Sequence, residues 1–131
     1  MLQGFEHVGM ISSNLDRTMA FYCGLMGLKK VLVKATNEGG RIAFLDACGV
    51  MLEIVELPTP VKTPARELPR NEAGIRHITF RVDDVQAAYE RLHAQGVPFT
   101  TPPRKAINTE VISKVAFCTD PDGIVVELVQ R

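Results

Sequence analysis

Residues 5–22 read FEHVGMISSNLDRTMAFY, and residues 75–92 read IRHITFRVDDVQAAYERL. Set side by side without a gap, the two stretches agree in kind. His7 meets His77, Asn14 meets Asp84, Leu15 meets Val85 and Tyr22 meets Leu92. Each opens with an apolar run around a histidine, which reads as a strand. Each then offers a short polar residue able to cap a helix. Apolar residues at helical spacing follow, as at Leu15, Met19, Tyr22 and Met26 in the first copy. Such self-similarity marks a duplicated supersecondary unit.

The rest of each half fits the same plan. Gly27 ends the first helix, predicted over 15–26. Strands are expected at 28–35, 41–47 and 50–57, with NEGG at 37–40 and Cys48-Gly49 as the turns between them. In the second half a strand at 75–82 leads to Asp83 and Asp84, a helix at 85–95 and Gly96. A short strand at 97–100, a loop holding Pro102 and Pro103, and a strand at 110–118 come next. Asp120-Pro-Asp-Gly123 has strong turn chemistry, and the chain closes on the strand IVVELVQ. The final strands also match, Gly49-Val-Met-Leu-Glu53 against Gly123-Ile-Val-Val-Glu127. The expected fold is therefore α+β, with two βαβββ modules, 1–57 and 74–131, in one domain. Residues 58–73 hold Pro58, Pro60, Pro64 and Pro69 and read as a linker, because such a stretch cannot pair as a central strand.

Composition narrows the function classes. A chain of 131 residues that is 46% hydrophobic can bury a core without disulfide staples. Fifteen basic and fifteen acidic residues cancel, and no basic stripe or block favours nucleic acid or a membrane surface. The N-terminus MLQGFEHVGM lacks signal-peptide features, and no apolar run is long enough to span a bilayer. Cys23, Cys48 and Cys118 are far apart and odd in number, which fits small buried hydrophobes in a reducing compartment. The expected location is cytoplasmic.

Glu53 and Glu127 each sit within an apolar strand, and so do His7 and His77. An ionised carboxylate buried on such a strand is costly unless it is paired or bound to a metal. A His and a Glu recurring at matched places in both halves therefore point to one divalent metal site held by His7, Glu53, His77 and Glu127. Two imidazoles and two carboxylates suit Ni, Co, Zn, Mn or Fe(II), with positions left for water or substrate. Glu56 points to the opposite strand face from Glu53 and aligns with Gln130, so Glu53 is preferred. The third histidine, His93, lies late in the second helix among charged residues and reads as a solvated helix-end charge.

These residues carry a resemblance to the vicinal oxygen chelate superfamily, which includes glyoxalase I, methylmalonyl-CoA epimerase, extradiol dioxygenases and fosfomycin and bleomycin resistance proteins. It extends over nearly the whole chain, through EHVGMISSNLDRTMAFYCGLMGLK, GVMLEIVEL, GIRHITFRVDDVQAAYERL and above all FCTDPDGIVVEL. The resemblance implies an incomplete, cupped barrel, a homodimer, and a metal held by His7, Glu53, His77 and Glu127. A His-Glu-His-Glu set is similar to that of bacterial glyoxalase I. It implies a lyase or isomerase that takes a proton from carbon beside a carbonyl through a metal-stabilised enediolate, with Glu127 as first candidate for the base and Glu53 as second. The substrate implied is a small molecule with vicinal oxygens. An epimerase-like enzyme and a non-catalytic, resistance-type binding protein are the alternatives.

One position departs from the bacterial glyoxalases. Where they carry an arginine four residues after the first histidine, this chain has Ile11. Arg81 holds the corresponding place after His77 and shares its strand face. Arg81 is therefore the candidate to clamp an anionic group of the substrate.

Overall fold

The computed structural model describes residues 1–63 and 69–131. The chain divides into two compact units, Met1–Thr63 and Pro64–Arg131. Pro64 of the expected linker lies outside the described residues, and the linker's described residues form no strand.

The first unit contains β1 (His7–Ile11), α1 (Leu15–Met19, continued as a π-helical segment Ala20–Leu25), β2 (Lys29–Ala35), β3 (Arg41–Asp46) and β4 (Met51–Glu56). Its sheet order is β1-β4-β3-β2, with β1 parallel to β4 and the other pairs antiparallel. Asn14 caps α1 by accepting the N–H of Arg17 at 2.9 Å. The helix ends in a widened turn, where the Met26 N–H bonds the Phe21 carbonyl. That widening accompanies two consecutive buried aromatics, Phe21 and Tyr22, whose rings meet edge to face at 4.9 Å. Leu15 and Tyr22 bury with Ala43, Leu45, Leu52 and Ile54 of the sheet. Each leucine or isoleucine among them contributes roughly 1.5–3 kcal/mol when fully buried.

The second unit repeats the plan: β5 (Ile78–Arg81), α2 (Val85–Ala94), β6 (Phe99–Lys105), β7 (Lys114–Thr119) and β8 (Val125–Gln130), in the order β5-β8-β7-β6. Asp84 caps α2 through the N–H groups of Gln86 and Ala87. Val85, Leu92, Ala116, Cys118, Val126 and Leu128 are among the buried residues of this unit. The α+β class and the two βαβββ modules are thus as the repeat implies.

Two expectations in the second module need correction. The stretch with Pro102 and Pro103 is not a loop but part of β6. It runs along the sheet edge, where a missing N–H costs no ladder bond, and its register slips around Thr101. The next strand begins at Lys114, not at 110. Residues before it turn tightly, with the Val111 and Ile112 N–H groups both on the Asn108 carbonyl. Among the cysteines, Cys118 is buried as expected, Cys23 is half-buried, and Cys48 is exposed at φ 60 in the β3–β4 turn.

Candidate functional site

Strand alternation sorts each sheet into two faces. The helix-side face buries Ala43, Leu45, Leu52 and Ile54 in the first unit and Ala116, Cys118, Val126 and Leu128 in the second. His7 and Glu53, and likewise His77 and Glu127, lie on the opposite face, which is only partly covered. Here the expectation of strands buried on both faces fails. The side chains of His7 and His77 are 40% and 38% exposed, and those of Glu53 and Glu127 are 29% and 12% exposed.

Parallel pairing brings each histidine to its glutamate. In the first unit Gly9 of β1 registers with Glu53 of β4, which sets His7 one step away on the same face. His7 Nε2 lies 3.6 Å from Glu53 Oε2. In the second unit Thr79 registers with Glu127, and His77 Nε2 lies 3.2 Å from Glu127 Oε2. Two donors about 2.1 Å from one ion, at angles near 90–110°, lie roughly 3.0–3.4 Å apart. The second pair falls in that range and the first lies just outside it, so both donor pairs fit joint ligation after little movement. Among the described residues, no group of three or more His, Cys, Asp or Glu is drawn together. What the structure brings together is two pairs, one per unit.

Each pair has a phenylalanine beside it. Phe44 registers with Glu53 and meets the His7 ring edge to face at 6.1 Å. Phe117 registers with Glu127 and meets His77 at 5.6 Å. The sequence carries this as FLDACGVMLE and FCTDPDGIVVE, with one extra residue in the second turn. That insertion hides the match from an ungapped comparison of the final strands.

The polar surroundings differ between the copies. Glu6 lies against His7 Nδ1, and this contact, against some desolvation and with help from Glu53, holds the imidazole above its usual pKa range. At the matching place in the second unit stands Arg76, whose guanidinium donates to the Pro69 carbonyl at 2.8 Å. Glu127 accepts a hydrogen bond from Thr79 Oγ1 at 2.8 Å. At the position matching Thr79 the first unit has Gly9, and a Cβ there would lie 3.3 Å from Glu53 Oε2.

A cleft of about 140 Å³ opens beside Glu127 within the second unit. Ile112, Val115 and Phe117 form its apolar wall, and Arg104 and Asn108 join Glu127 as polar groups. The turn before β7 closes one side, burying Ala106, Val115 and Val129 together. The sequence gives no periodic signal for this segment, because it is an irregular edge strand followed by a turn. Arg81 is exposed on the face of His77 and Thr79, and the cleft wall does not include it. Ile11 is 57% exposed.

Glu56 lies on the helix side of β4. Its Oε2 accepts the Leu15 N–H at 2.6 Å, and Arg41 donates to both of its carboxylate oxygens. Those bonds, Arg41 first and Leu15 second, depress its pKa.

Comparison with known proteins adds four findings. The family model described as the Glyoxalase/Bleomycin resistance protein/Dioxygenase superfamily matches residues 4–128. The lactoylglutathione lyase of Pseudomonas aeruginosa is 44% identical over an alignment covering 96% of this chain and 81% of that protein. The uncharacterized protein YaeR of Escherichia coli is 25% identical over 99% and 98%. Among solved structures, a glyoxalase family protein from Enterococcus faecalis superposes with a TM-score of 0.78 at 27% identity, covering 98% of both chains.

Proposed function

For a chain that belongs to the glyoxalase/bleomycin resistance/dioxygenase superfamily, we propose a metal-dependent lyase or isomerase of the glyoxalase I type, acting on carbon beside a carbonyl. The duplicated pair carries this reading: a histidine Nε2 facing a glutamate Oε2 on the open side of each sheet, at 3.6 and 3.2 Å. A complete site takes one pair of each kind, so His7, Glu53, His77 and Glu127 are its ligands. The working form is a homodimer. The similarity to a lactoylglutathione lyase supports the reaction type.

A divalent ion bound there stabilises negative charge on the substrate's vicinal oxygens. The remaining work falls to the protein. A glutamate oxygen takes the proton from the hydroxyl-bearing carbon, whose electron pair forms a C=C bond as the carbonyl pair moves onto oxygen; the glutamic acid then returns the proton to the neighbouring carbon while the hydroxyl proton passes to the former carbonyl oxygen, leaving the new carbonyl on the first carbon. Glu127 and Glu53 are the two candidates. The wall of Ile112, Val115 and Phe117 excludes water from the substrate's apolar end. Arg81 and Arg104 are candidate cations for an anionic group.

The test loads purified protein with Ni²⁺, Co²⁺ or Zn²⁺ and assays a panel of hemithioacetals of methylglyoxal and methylmalonyl-CoA. One ion per set of two His/Glu pairs, lost in both His7→Ala and His77→Ala, is expected, together with turnover or solvent deuterium incorporation. Protein that takes up no metal and only binds small molecules overturns it.

A further inference from the structure

The two copies of the His/Glu pair differ at one position that the repeat itself exposes. Thr79 of β5 and Gly9 of β1 are equivalents, each registered opposite the glutamate of its module. From this difference we infer that Thr79 is a positioning residue: it pins Glu127 as the fixed carboxylate of the site and leaves Glu53 as the one free to swing and take the substrate proton. The inference rests on the metal-site reading above.

Thr79 Oγ1 donates to Glu127 Oε2 at 2.8 Å, a good geometry for a hydroxyl on a carboxylate. A threonine in a strand has few χ1 choices, so its hydroxyl is held where the backbone register puts it. The same carboxylate oxygen faces His77 Nε2 at 3.2 Å, and the side chain is only 12% exposed. Phe117 stands beside it in register. Glu127 is thus fixed from several directions.

Glu53 has the opposite setting. Among the described residues, its side chain meets His7 Nε2 at 3.6 Å and no hydroxyl. Gly9 presents no side chain, and a Cβ there would already crowd Oε2 at 3.3 Å. Glycine therefore leaves the room that this carboxylate occupies, and 29% of the Glu53 side chain is open to solvent, into which it can move. A base that must leave one position and reach carbon needs that freedom, whereas a ligand gains from orientation by a neighbouring hydrogen bond. This assigns the base to Glu53 and the anchoring role to Glu127, reversing the order that resemblance implies.

The experiment compares wild type with Thr79→Val, which keeps shape and loses the hydroxyl, and Thr79→Ser, which keeps the hydroxyl. Two readouts are used: the Glu127 conformation in metal-free crystals, and Co²⁺ affinity with its visible spectrum. Thr79→Val is expected to release Glu127 from its single conformer, weaken Co²⁺ binding about 10- to 100-fold and alter the spectrum, with Thr79→Ser restoring all three. Glu127 unmoved in Thr79→Val, or Co²⁺ binding unchanged, overturns the inference. Wild-type protein that binds no Co²⁺, Ni²⁺ or Zn²⁺ overturns the metal reading instead. The metal-free crystals then still decide whether Thr79 holds Glu127.

Discussion

Glu56 and Gln130 perform one task in the two modules. Glu56 Oε2 accepts the N–H of Leu15, and Gln130 Oε1 accepts the N–H of Val85 at 3.2 Å. Each reaches from the end of its last strand to the first residue of its helix, where a backbone donor has no partner within the helix. The strand end is thereby fastened to the helix start. Removing either side chain leaves that donor unpaired in a part-buried place. Glu56→Ala and Gln130→Ala are each expected to lower stability by about 1–2 kcal/mol, the usual range for losing a helix cap, read from urea midpoints at neutral pH.

Charge makes Glu56 the pH-sensitive member. The bonds from Arg41 and from Leu15 depress its pKa, and Arg41 depresses that of Asp16 as well. A carboxylate whose folded pKa lies below its unfolded value stabilises the fold above the unfolded pKa, and loses that contribution as pH falls through the folded one. Stability should therefore hold from neutral pH to the ordinary carboxylate range and then drop on further acidification. Glu56→Gln keeps an oxygen for Leu15 but cannot titrate. Urea midpoints of this variant are expected to fall less steeply below that range than those of wild type.

Gly40 gives a steric counterpart. A Cβ at this position would lie 2.3 Å from the Glu56 carbonyl oxygen, inside any allowed contact. Backbone faces it, so no side chain can rotate away. Gly40→Ala must shift the start of β3 against the end of β4, at a cost of roughly 1–3 kcal/mol, as for other overpacked sites. Gly24→Ala, where a Cβ meets nothing within 4 Å, is the comparison variant and should leave the urea midpoint near that of wild type.

What could be read from sequence follows the repeat. The caps at Asn14 and Asp84 and the turn glycines announce themselves through local chemistry, and local chemistry placed them correctly, while the strand expected at 75–82 begins at Ile78, just after His77. The sequence match of Glu56 to Gln130 looked like the absence of a counterpart, because it compared charge. The structure compares hydrogen-bond acceptors, and there the two are equal. Thr79 stood in the quoted repeat opposite Gly9, yet its partner Glu127 is 48 residues away, a pairing that only strand register brings together. Arg104 and Asn108 were illegible for another reason. They lie on an irregular edge strand and the turn after it, where proline breaks any period.

Two arginines compete for the anionic end of a substrate, and they make different predictions. Arg104 lines the cleft beside Glu127, with Asn108 next to it and an apolar wall opposite. Arg81 projects from the exposed face that His77 and Thr79 share. A cleft of about 140 Å³ holds a few heavy atoms, well short of the roughly 300–1,000 Å³ of sites that enclose a drug-sized ligand. The bulk of any large substrate must therefore extend past it, and the cation that grips depends on where the charge lies. If the charge enters with the reacting end, Arg104→Ala should raise KM about 10- to 100-fold, the loss of a charge-assisted hydrogen bond, while Arg81→Ala leaves it near wild type. If the charge sits on the trailing part, the order reverses. Steady-state KM for both variants on one turned-over substrate separates the cases. Unchanged KM in Arg81→Ala removes that residue as the clamp.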